Sequence, residues 1–277
     1  MTTTQPPSAA LRAVAAAGTA TPRLPTRPAV SAKRGRLIAV ASGKGGVGKT
    51  FFSITLSQAL ARRGQRTLLL DGDLGLANID IQLGLMPQYD LGSVIVGKLS
   101  LNQAAMQYEM GGFDVIAGRS GSLANIPLSR LQILGEDLAL LASRYDRVIL
   151  DLGAGVEKSV RQLARAADTI IVVTSDELTS LTDAYAFIKI TIMERPQTDI
   201  RVVVNASNST REGERTYQTL LKACQGLLKI SPPLAGIIRR DARVRECIRH
   251  QTPILTRSPS SEAAMDVEAI ADRLLAP

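Results

Sequence analysis

The stretch that decides the fold is Arg36-Leu-Ile-Ala-Val-Ala-Ser-Gly-Lys-Gly-Gly-Val-Gly-Lys-Thr50. Its first five residues form an aliphatic run that is typical of a buried strand. After the glycines, residues 51–63 repeat apolar side chains at helical spacing, with Phe52, Leu56 and Leu60 on one side. A strand, a glycine-rich loop and a helix in this order form the context that a phosphate-binding loop needs.

The loop matches the pattern G-x-x-x-x-G-K-S/T at Gly43, Gly48, Lys49 and Thr50. Glycines let backbone N–H groups turn toward one anion, and the following helix adds the positive end of its dipole. We expect Lys49 to reach the β- and γ-phosphates and the Thr50 hydroxyl to bind Mg²⁺. An ordinary glycine-rich turn is the disfavoured alternative, because a strand precedes the loop and a helix follows it. The predicted nucleotide-binding residues of this stretch are Gly43, Lys44, Gly45, Gly46, Val47, Gly48, Lys49, Thr50 and Phe51.

A second lysine, Lys44, stands inside the loop and gives it the sequence Lys-Gly-Gly-Val-Gly-Lys-Thr. This loop resembles the deviant Walker A loop of the MinD/ParA ATPases. The resemblance implies that the chain hydrolyses ATP with Mg²⁺ and forms a homodimer when ATP is bound. It also implies that Lys44 reaches the nucleotide of the partner subunit, so that Lys44 and Lys49 both act in catalysis. The alternative for Lys44 is a solvated lysine of a surface loop.

Aliphatic runs and helical patterns alternate along the rest of the chain. Residues 1–33, rich in Ala, Thr and Pro, predict a flexible basic tail, and the ATPase domain spans residues 34–277. The alternation predicts an α/β fold, a single doubly wound, mostly parallel sheet with helices on both faces, as in P-loop NTPases. The predicted strands are 36–40, 66–71, 113–117, 146–151, 169–173, 200–205 and 234–238, and the predicted helices are 51–63, 128–143, 179–193, 210–228, 242–248 and 261–275.

Three acids, Asp71, Asp73 and Asp151, fall at or just after the predicted carboxyl ends of strands. In a parallel sheet these ends lie at the same edge as the phosphate-binding loop. We therefore predict that Asp151 binds Mg²⁺ together with Thr50, directly or through water. The resemblance implies that Asp71 supports Mg²⁺ through its water shell and that Asp73 orients the attacking water as a catalytic residue. The alternative is that such acids cap helices, which is credible for Asp73 before Leu74-Gly-Leu76.

Gly153 and Asn205 complete the predicted site. Gly153 follows the strand of Asp151 and would offer a backbone N–H near the γ-phosphate. Asn205, at the end of the sixth predicted strand, resembles the asparagine with which the family recognises adenine, and the alternative is a turn residue. ATP rather than GTP rests on this resemblance, since no Asn-Lys-x-Asp motif stands at that strand end.

The net charge of +8 is unevenly placed along the chain. No acid precedes Asp71, and five arginines form a second basic cluster within residues 239–249. Such clusters attract nucleic acid, anionic lipid or acidic protein, and a solvated surface is an equal alternative. The two cysteines, Cys224 and Cys247, stand far apart, which predicts small buried residues. Their spacing argues against zinc sites and against the cluster-carrying ATPases.

The segment Leu181-Thr-Asp-Ala-Tyr-Ala-Phe-Ile-Lys189 resembles the MinD-type regulators of flagellar number and placement, as does Asp71-Gly-Asp-Leu-Gly-Leu-Ala-Asn-Ile-Asp80. This resemblance implies an ATP-dependent switch that positions a cellular machine, the polar flagellum. Its implied protein partner is a flagellar GTPase or another polar flagellar component. The rival interpretation is a ParA-type partition ATPase that binds non-specific DNA through the cluster at 239–249.

No apolar run approaches the roughly 20 residues of a membrane span, so we expect a cytoplasmic protein, with a pole or the inner membrane as open locations. The last predicted helix carries four acids between residues 262 and 272, which anionic lipid would repel. We expect this helix to pack in the core through Met265, Ile270 and Leu274 and not to target membrane. The basic tail is then the remaining means of membrane contact.

Overall fold

The computed structural model describes residue 1, residues 35–118 and residues 126–276. The chain divides into two units, residues 1–33 and residues 34–277, and the strands and helices of the described residues all belong to the second. Apart from Met1, the predicted flexible tail lies outside the described residues.

The strands are β1 (Arg36–Ser42), β2 (Thr67–Gly72), β3 (Met106–Tyr108), β4 (Phe113–Ile116), β5 (Arg147–Ala154), β6 (Thr169–Thr174), β7 (Asp199–Ser207) and β8 (Leu234–Arg239). The helices are α1 (Lys49–Arg62), α2 (Ile79–Leu83), α3 (Leu91–Ile95), α4 (Leu101–Ala104), α5 (Leu128–Leu141), α6 (Lys158–Ala164), α7 (Leu178–Glu194), α8 (Thr210–Ala223), α9 (Ala242–Arg249), α10 (Ile254–Arg257) and α11 (Glu262–Leu275). Within the described ranges the strands form one sheet in the order β3-β4-β2-β5-β1-β6-β7-β8. Strand β3 pairs antiparallel with β4, and the other neighbours run parallel, so the predicted sheet is confirmed.

The side chains of β1 alternate between two layers of core. Leu37 and Ala39 belong to the layer beneath α5, α6, α7 and α8, whereas Ile38 and Val40 belong to the layer beneath α1 and α11. All four side chains are at most 1% exposed. Burying one large aliphatic side chain stabilises a fold by roughly 1.5–3 kcal/mol. Helices therefore cover both faces of the sheet, as the unbroken aliphatic strands predict.

Several short elements escape the sequence prediction. Strand β3 and helices α2, α3, α4 and α10 have five residues or fewer, too short to show a hydrophobic period. Because β3 is inserted, Asn205 lies in the seventh strand and not in the sixth. Strand β5 continues past its predicted end at Asp151 to Ala154, which pairs with Ser42 of β1. Gly153 therefore lies inside a strand and not in a loop after it.

The predictions for two further helices, 210–228 and 261–275, also need correction. The helix predicted over 210–228 is α-helical to Ala223 and then widens into a π turn over Cys224–Leu228. In α11, Ile270 and Leu274 are buried as predicted, but the prediction for Met265 is wrong because its side chain is 46% exposed.

Both cysteines are buried, as expected. No helix among the described residues has the length and apolar character needed to cross a bilayer.

Candidate nucleotide-binding site

Strand β1 occupies the point of the sheet where the strand order reverses. It lies between β5 and β6, and the chain leaves its carboxyl end into the loop that precedes α1. In open α/β sheets, ligands bind in the crevice outside the strands at this position. The topology thus brings the predicted loop and the strand-end acids to one edge.

Close approach and backbone conformation both require glycine in the loop. Gly46 and Gly48 have φ angles of 78° and 92°, in the left-handed region that side chains disfavour. A Cβ on Gly48 would lie 2.2 Å from the amide nitrogen of Asn205. A Cβ on Gly43 would lie 2.1 Å from the carbonyl oxygen of Asp183 in α7. The loop therefore keeps its backbone open on one side and packs tightly on the other.

Lys49, the first residue of α1, is held at the base of the loop by the last residue of β1. The side chain is buried, and its Nζ donates to Ser42 Oγ at 2.9 Å. Burial lowers the pKa of Lys49, and the nearby carboxylates of Asp151 and Asp73 act in the opposite direction. A phosphate beside this ammonium group would compensate for the water that it has lost. Ser42 was not predicted, because the loop pattern begins one residue later.

Asp151 sits at the centre of a small network of hydroxyl groups. Thr50 Oγ1 donates to one carboxylate oxygen at 2.7 Å, and Ser53 Oγ donates to the other at 2.9 Å. In the sheet register Asp151 stands directly beside Asp71. Burial, followed by the charge of Asp71, raises the pKa of Asp151 to about 7. Ser53 was missed in the sequence, although its place one helical turn after Thr50 is a usable signal.

The donors of this network suit a magnesium ion. Hydroxyl and carboxylate oxygens are the hard ligands that Mg²⁺ takes, and Thr50 and Asp151 present both at one point. A dication there would also relieve the like-charge pair of Asp151 and Asp71. No set of three His, Cys, Asp or Glu side chains that could enclose a metal occurs in the described ranges. Mg²⁺ keeps several waters and uses few protein ligands beside phosphates.

Asp71 organises the loop between β2 and α2. Its carboxylate accepts three backbone N–H groups, from Asp73 at 3.1 Å and from Asn78 and Ile79 at 3.0 Å each. Burial nevertheless dominates and raises the pKa of Asp71 to about 6. The carboxylate therefore fixes both ends of the loop, and its contribution to the Mg²⁺ water shell stays a prediction.

Asp73 lies beside Gly153. A Cβ on Gly153 would lie 3.2 Å from Asp73 Oδ1. The same oxygen accepts the backbone N–H groups of Gly75 at 3.1 Å and Leu76 at 2.9 Å. These contacts close a turn and do not cap a helix, because the next helix, α2, begins at Ile79. Orientation of water by Asp73 and donation by the Gly153 backbone stay predictions.

Lys44 has partners in its own chain. Its ammonium group donates to the Glu177 carboxylate and, at 2.9 Å, to Thr179 Oγ1 at the start of α7. This contact lowers the pKa of the Glu177 carboxyl group. A reach of Lys44 into a second subunit stays a prediction, and it requires this ion pair to break. Glu177 and Thr179 were not predicted as site residues, although they border the segment that carries the flagellar resemblance.

Asn205 holds the loop in place from the neighbouring side of the sheet. It is buried in β7, and its amide nitrogen donates to the Val47 carbonyl oxygen at 2.7 Å. Because Asn205 lies inside a strand, it is not the turn residue of the alternative interpretation. Recognition of adenine by Asn205 stays a prediction.

The family model described as the CobQ/CobB/MinD/ParA nucleotide binding domain matches residues 38–254. The chain belongs to this family. It is 36% identical over 241 residues to the antiactivator FleN of Pseudomonas aeruginosa, with 86% of each protein covered. The flagellum site-determining protein YlxH of Helicobacter pylori is 27% identical, with 87% of this chain and 82% of YlxH covered. The structure of MinD with Mg-ADP from Pyrococcus horikoshii shares the fold, with a TM-score of 0.75, 24% identity, and coverage of 87% of this chain and 96% of that one.

Membership of the MinD/ParA family makes the chain a P-loop ATPase. Binding of nucleotide and Mg²⁺ at the edge around Lys49 and Asp151 stays a prediction. The fold predicted from the sequence is that of the family's structures.

Proposed function

We propose that the chain is an ATP-dependent switch that controls the number and position of polar flagella. The observation that carries the proposal is the contact of Lys44 with Glu177, next to a phosphate loop already assembled around Lys49. The Lys44 side chain donates to α7 and its preceding residue, and the proposal requires it to exchange these partners for a nucleotide. The likeness to FleN and to the flagellum site-determining protein YlxH supports the flagellar assignment.

Each residue of the site has a defined task in this proposal. When bound, Mg²⁺ would neutralise charge on the β- and γ-phosphates, held by Thr50 and Asp151. Lys49 would bind the same phosphates, with its desolvation offset by their charge. Asn205 keeps the loop closed against β7 and reads the adenine of ATP. Asp73 exchanges its turn contact for a water molecule, which it orients toward the γ-phosphate.

The switch itself is dimerisation. Two subunits with bound ATP close face to face, and Lys44 leaves Glu177 for the nucleotide of the partner subunit. Hydrolysis is slow until a protein partner, a flagellar GTPase or another polar flagellar component, stimulates it. Hydrolysis then separates the dimer and releases the partner. The proposal places the protein in the cytoplasm and at the pole.

The Lys44→Ala variant tests this proposal. We expect nucleotide binding to stay at the wild-type level, while hydrolysis falls by about a thousandfold, the lower range for loss of a trans-acting cation. The measurements are phosphate release and the molecular mass with ATP and with ADP by light scattering. Lys98→Ala removes an exposed lysine elsewhere and is the control. Cells with the Lys44→Ala protein should carry an altered number of flagella, and wild-type turnover by the variant would contradict the proposal.

A second candidate, a partition ATPase that binds non-specific DNA, is favoured by helix α9. Arg243, Arg245 and Arg249 of this helix are exposed. Arg239, by contrast, is neutralised by Asp266 at 2.8 Å and by Glu262 at 2.6 Å. The basic cluster is therefore smaller than its sequence indicates.

DNA retention by the Asp73→Ala protein distinguishes the two candidates. Retention that needs ATP, weakens with salt and is lost on replacing Arg245 and Arg249 by Gln would favour partition, because phosphate contacts release counterions. Absence of retention at low salt would remove that candidate.

A further inference from the structure

A cavity of about 600 Å³ lies at the edge of the sheet opposite to the nucleotide site. It is lined by Thr67 and Phe113, which begin β2 and β4, and by Arg144 and Tyr145, which precede β5. These are the amino ends of parallel strands, whereas the phosphate-binding loop leaves the carboxyl end of β1. Helix α4 closes one side with Asn102. No part of the predicted nucleotide site reaches this cavity.

Two guanidinium groups, of Arg144 and Arg66, line the cavity. Arg144 donates to the neutral side-chain oxygen of Asn102. Among the described residues no carboxylate lies within ion-pair distance of Arg144. The Arg66 side chain is 68% exposed, and its Nε and Nη2 donate to the two oxygens of Asp146 at 3.4 Å each. The same Asp146 carboxylate accepts the backbone N–H of Arg66 at 2.8 Å, so its charge is shared.

A third arginine, Arg147, follows the cavity residues Arg144 and Tyr145 in the chain. Arg147 follows Asp146 at the start of β5, and its buried Nε has no hydrogen-bond partner among the described residues. Burial, and then the charge of Arg36, lower the pKa of Arg147. Arg147 does not line the cavity, but its charge adds to those of Arg66 and Arg144 at the amino edge of the sheet.

The opposite wall of the cavity offers a hydrogen-bond acceptor. Asp114 accepts the hydroxyl of Tyr145 at 2.7 Å, which fixes the carboxylate in place. Burial and this bond raise the pKa of Tyr145, so the phenol stays protonated. A molecule in the cavity would therefore place anionic oxygens at Arg66 and Arg144, and it could donate hydrogen bonds to Asp114.

We propose that this cavity binds a phosphate-bearing small molecule of about nucleotide size. Its volume falls within the roughly 300–1,000 Å³ of small-molecule sites. Planar guanidinium groups match phosphate oxygens in bidentate pairs, which an ammonium group cannot do. The site is independent of the ATP-dependent switch.

Calorimetric titration with inorganic pyrophosphate and with AMP tests the proposal. The wild-type protein is first saturated with Mg-ADP, so that the phosphate-binding loop is filled. We expect one additional site per chain for at least one probe. Arg66→Gln and Arg144→Gln should each weaken it by roughly tenfold to a hundredfold, the effect of losing a charge-assisted hydrogen bond. Arg130→Gln, which changes an exposed arginine of α5, is the control and should bind like the wild type.

Three results would overturn the proposal. The first is the absence of a second site for either probe. The second is unchanged affinity in both cavity variants, with circular dichroism confirming that they are folded. The third is loss of the additional site in the Lys49→Ala protein, because the probe would then be bound by the phosphate-binding loop. Retention of the site in Lys49→Ala, together with its loss in Arg144→Gln, would support the cavity.

Discussion

Replacing Asp151 by Asn should stabilise the nucleotide-free protein, and the gain should grow with pH. The Asp151 carboxylate is buried beside Asp71, which raises its pKa to about 7 from an unfolded value of about 3.9. Below about pH 4 the group is protonated in both states and has no effect on stability. As the pH rises toward 7, ionisation favours the unfolded state first. Stability is therefore lost until the pH has passed the folded-state pKa.

The size of the effect follows from the shift. A shift of about three pKa units corresponds to about 4 kcal/mol at pH 8, which the Asn variant would recover. The variant keeps an oxygen acceptor for one of the two hydroxyl groups, Thr50 or Ser53, and weakens the other hydrogen bond by about 1 kcal/mol. We expect a net gain of about 3 kcal/mol at pH 8 and a net loss of about 1 kcal/mol below pH 4. The same variant should lose hydrolysis, because the predicted Mg²⁺ ligand is gone.

Urea unfolding of metal-free and nucleotide-free protein across this pH range gives the required free energies. Circular dichroism is the suitable signal because the chain has no tryptophan. Asp137→Asn, at an exposed position of α5, is the matched control. If the difference between Asp151→Asn and the wild type is flat with pH, or if the variant is less stable at pH 8, the raised pKa of Asp151 does not control stability.

Three further predictions concern the loop and its neighbours. Lys49→Ala should abolish binding of a fluorescent nucleotide, since the buried ammonium group is the loop's main cation, and wild-type affinity would reject the loop assignment. Asp73→Ala should still dimerise with ATP by light scattering but release no phosphate, and rapid turnover would leave Asp73 with its turn contacts alone. Asn205→Ala removes the buried bond to Val47 and should lower the free energy of unfolding by about 1–3 kcal/mol. An unchanged unfolding midpoint would show that the loop keeps its conformation without that bond.

The sheet could be predicted because its central strands are unbroken aliphatic runs. In β1 and β6 the aliphatic residues are essentially fully buried, so the apolar runs in the sequence match the burial in the structure. Strand β3 could not be predicted, since its three residues, Met106-Gln-Tyr108, owe their conformation to pairing with β4. The extension of β5 to Ala154 likewise depends on a neighbour in the sheet and not on its own glycine-containing sequence.

Some features of the candidate site could likewise be predicted from local patterns, and others could not. Lys49, Thr50 and Asp151 could be located because a loop pattern and a strand end place them without any knowledge of distant contacts. The pairing of Lys44 with Glu177 could not, because 133 residues separate the two and no local pattern connects them. The cavity at the amino edge is hidden for the same reason, since its walls come from four separate segments.

Helix α7 contacts the phosphate-binding loop through the main chain at Gly43. At Gly43 the backbone of Asp183 occupies the space where another residue would have its Cβ, so loop and helix are in direct main-chain contact. At this contact no flexible side chain separates the two main chains. A protein that pulls or tilts α7 by an ångström must therefore displace the first glycine of the loop by a similar distance. Force applied at the outer surface of that helix would therefore move the phosphate-binding loop through main-chain contact.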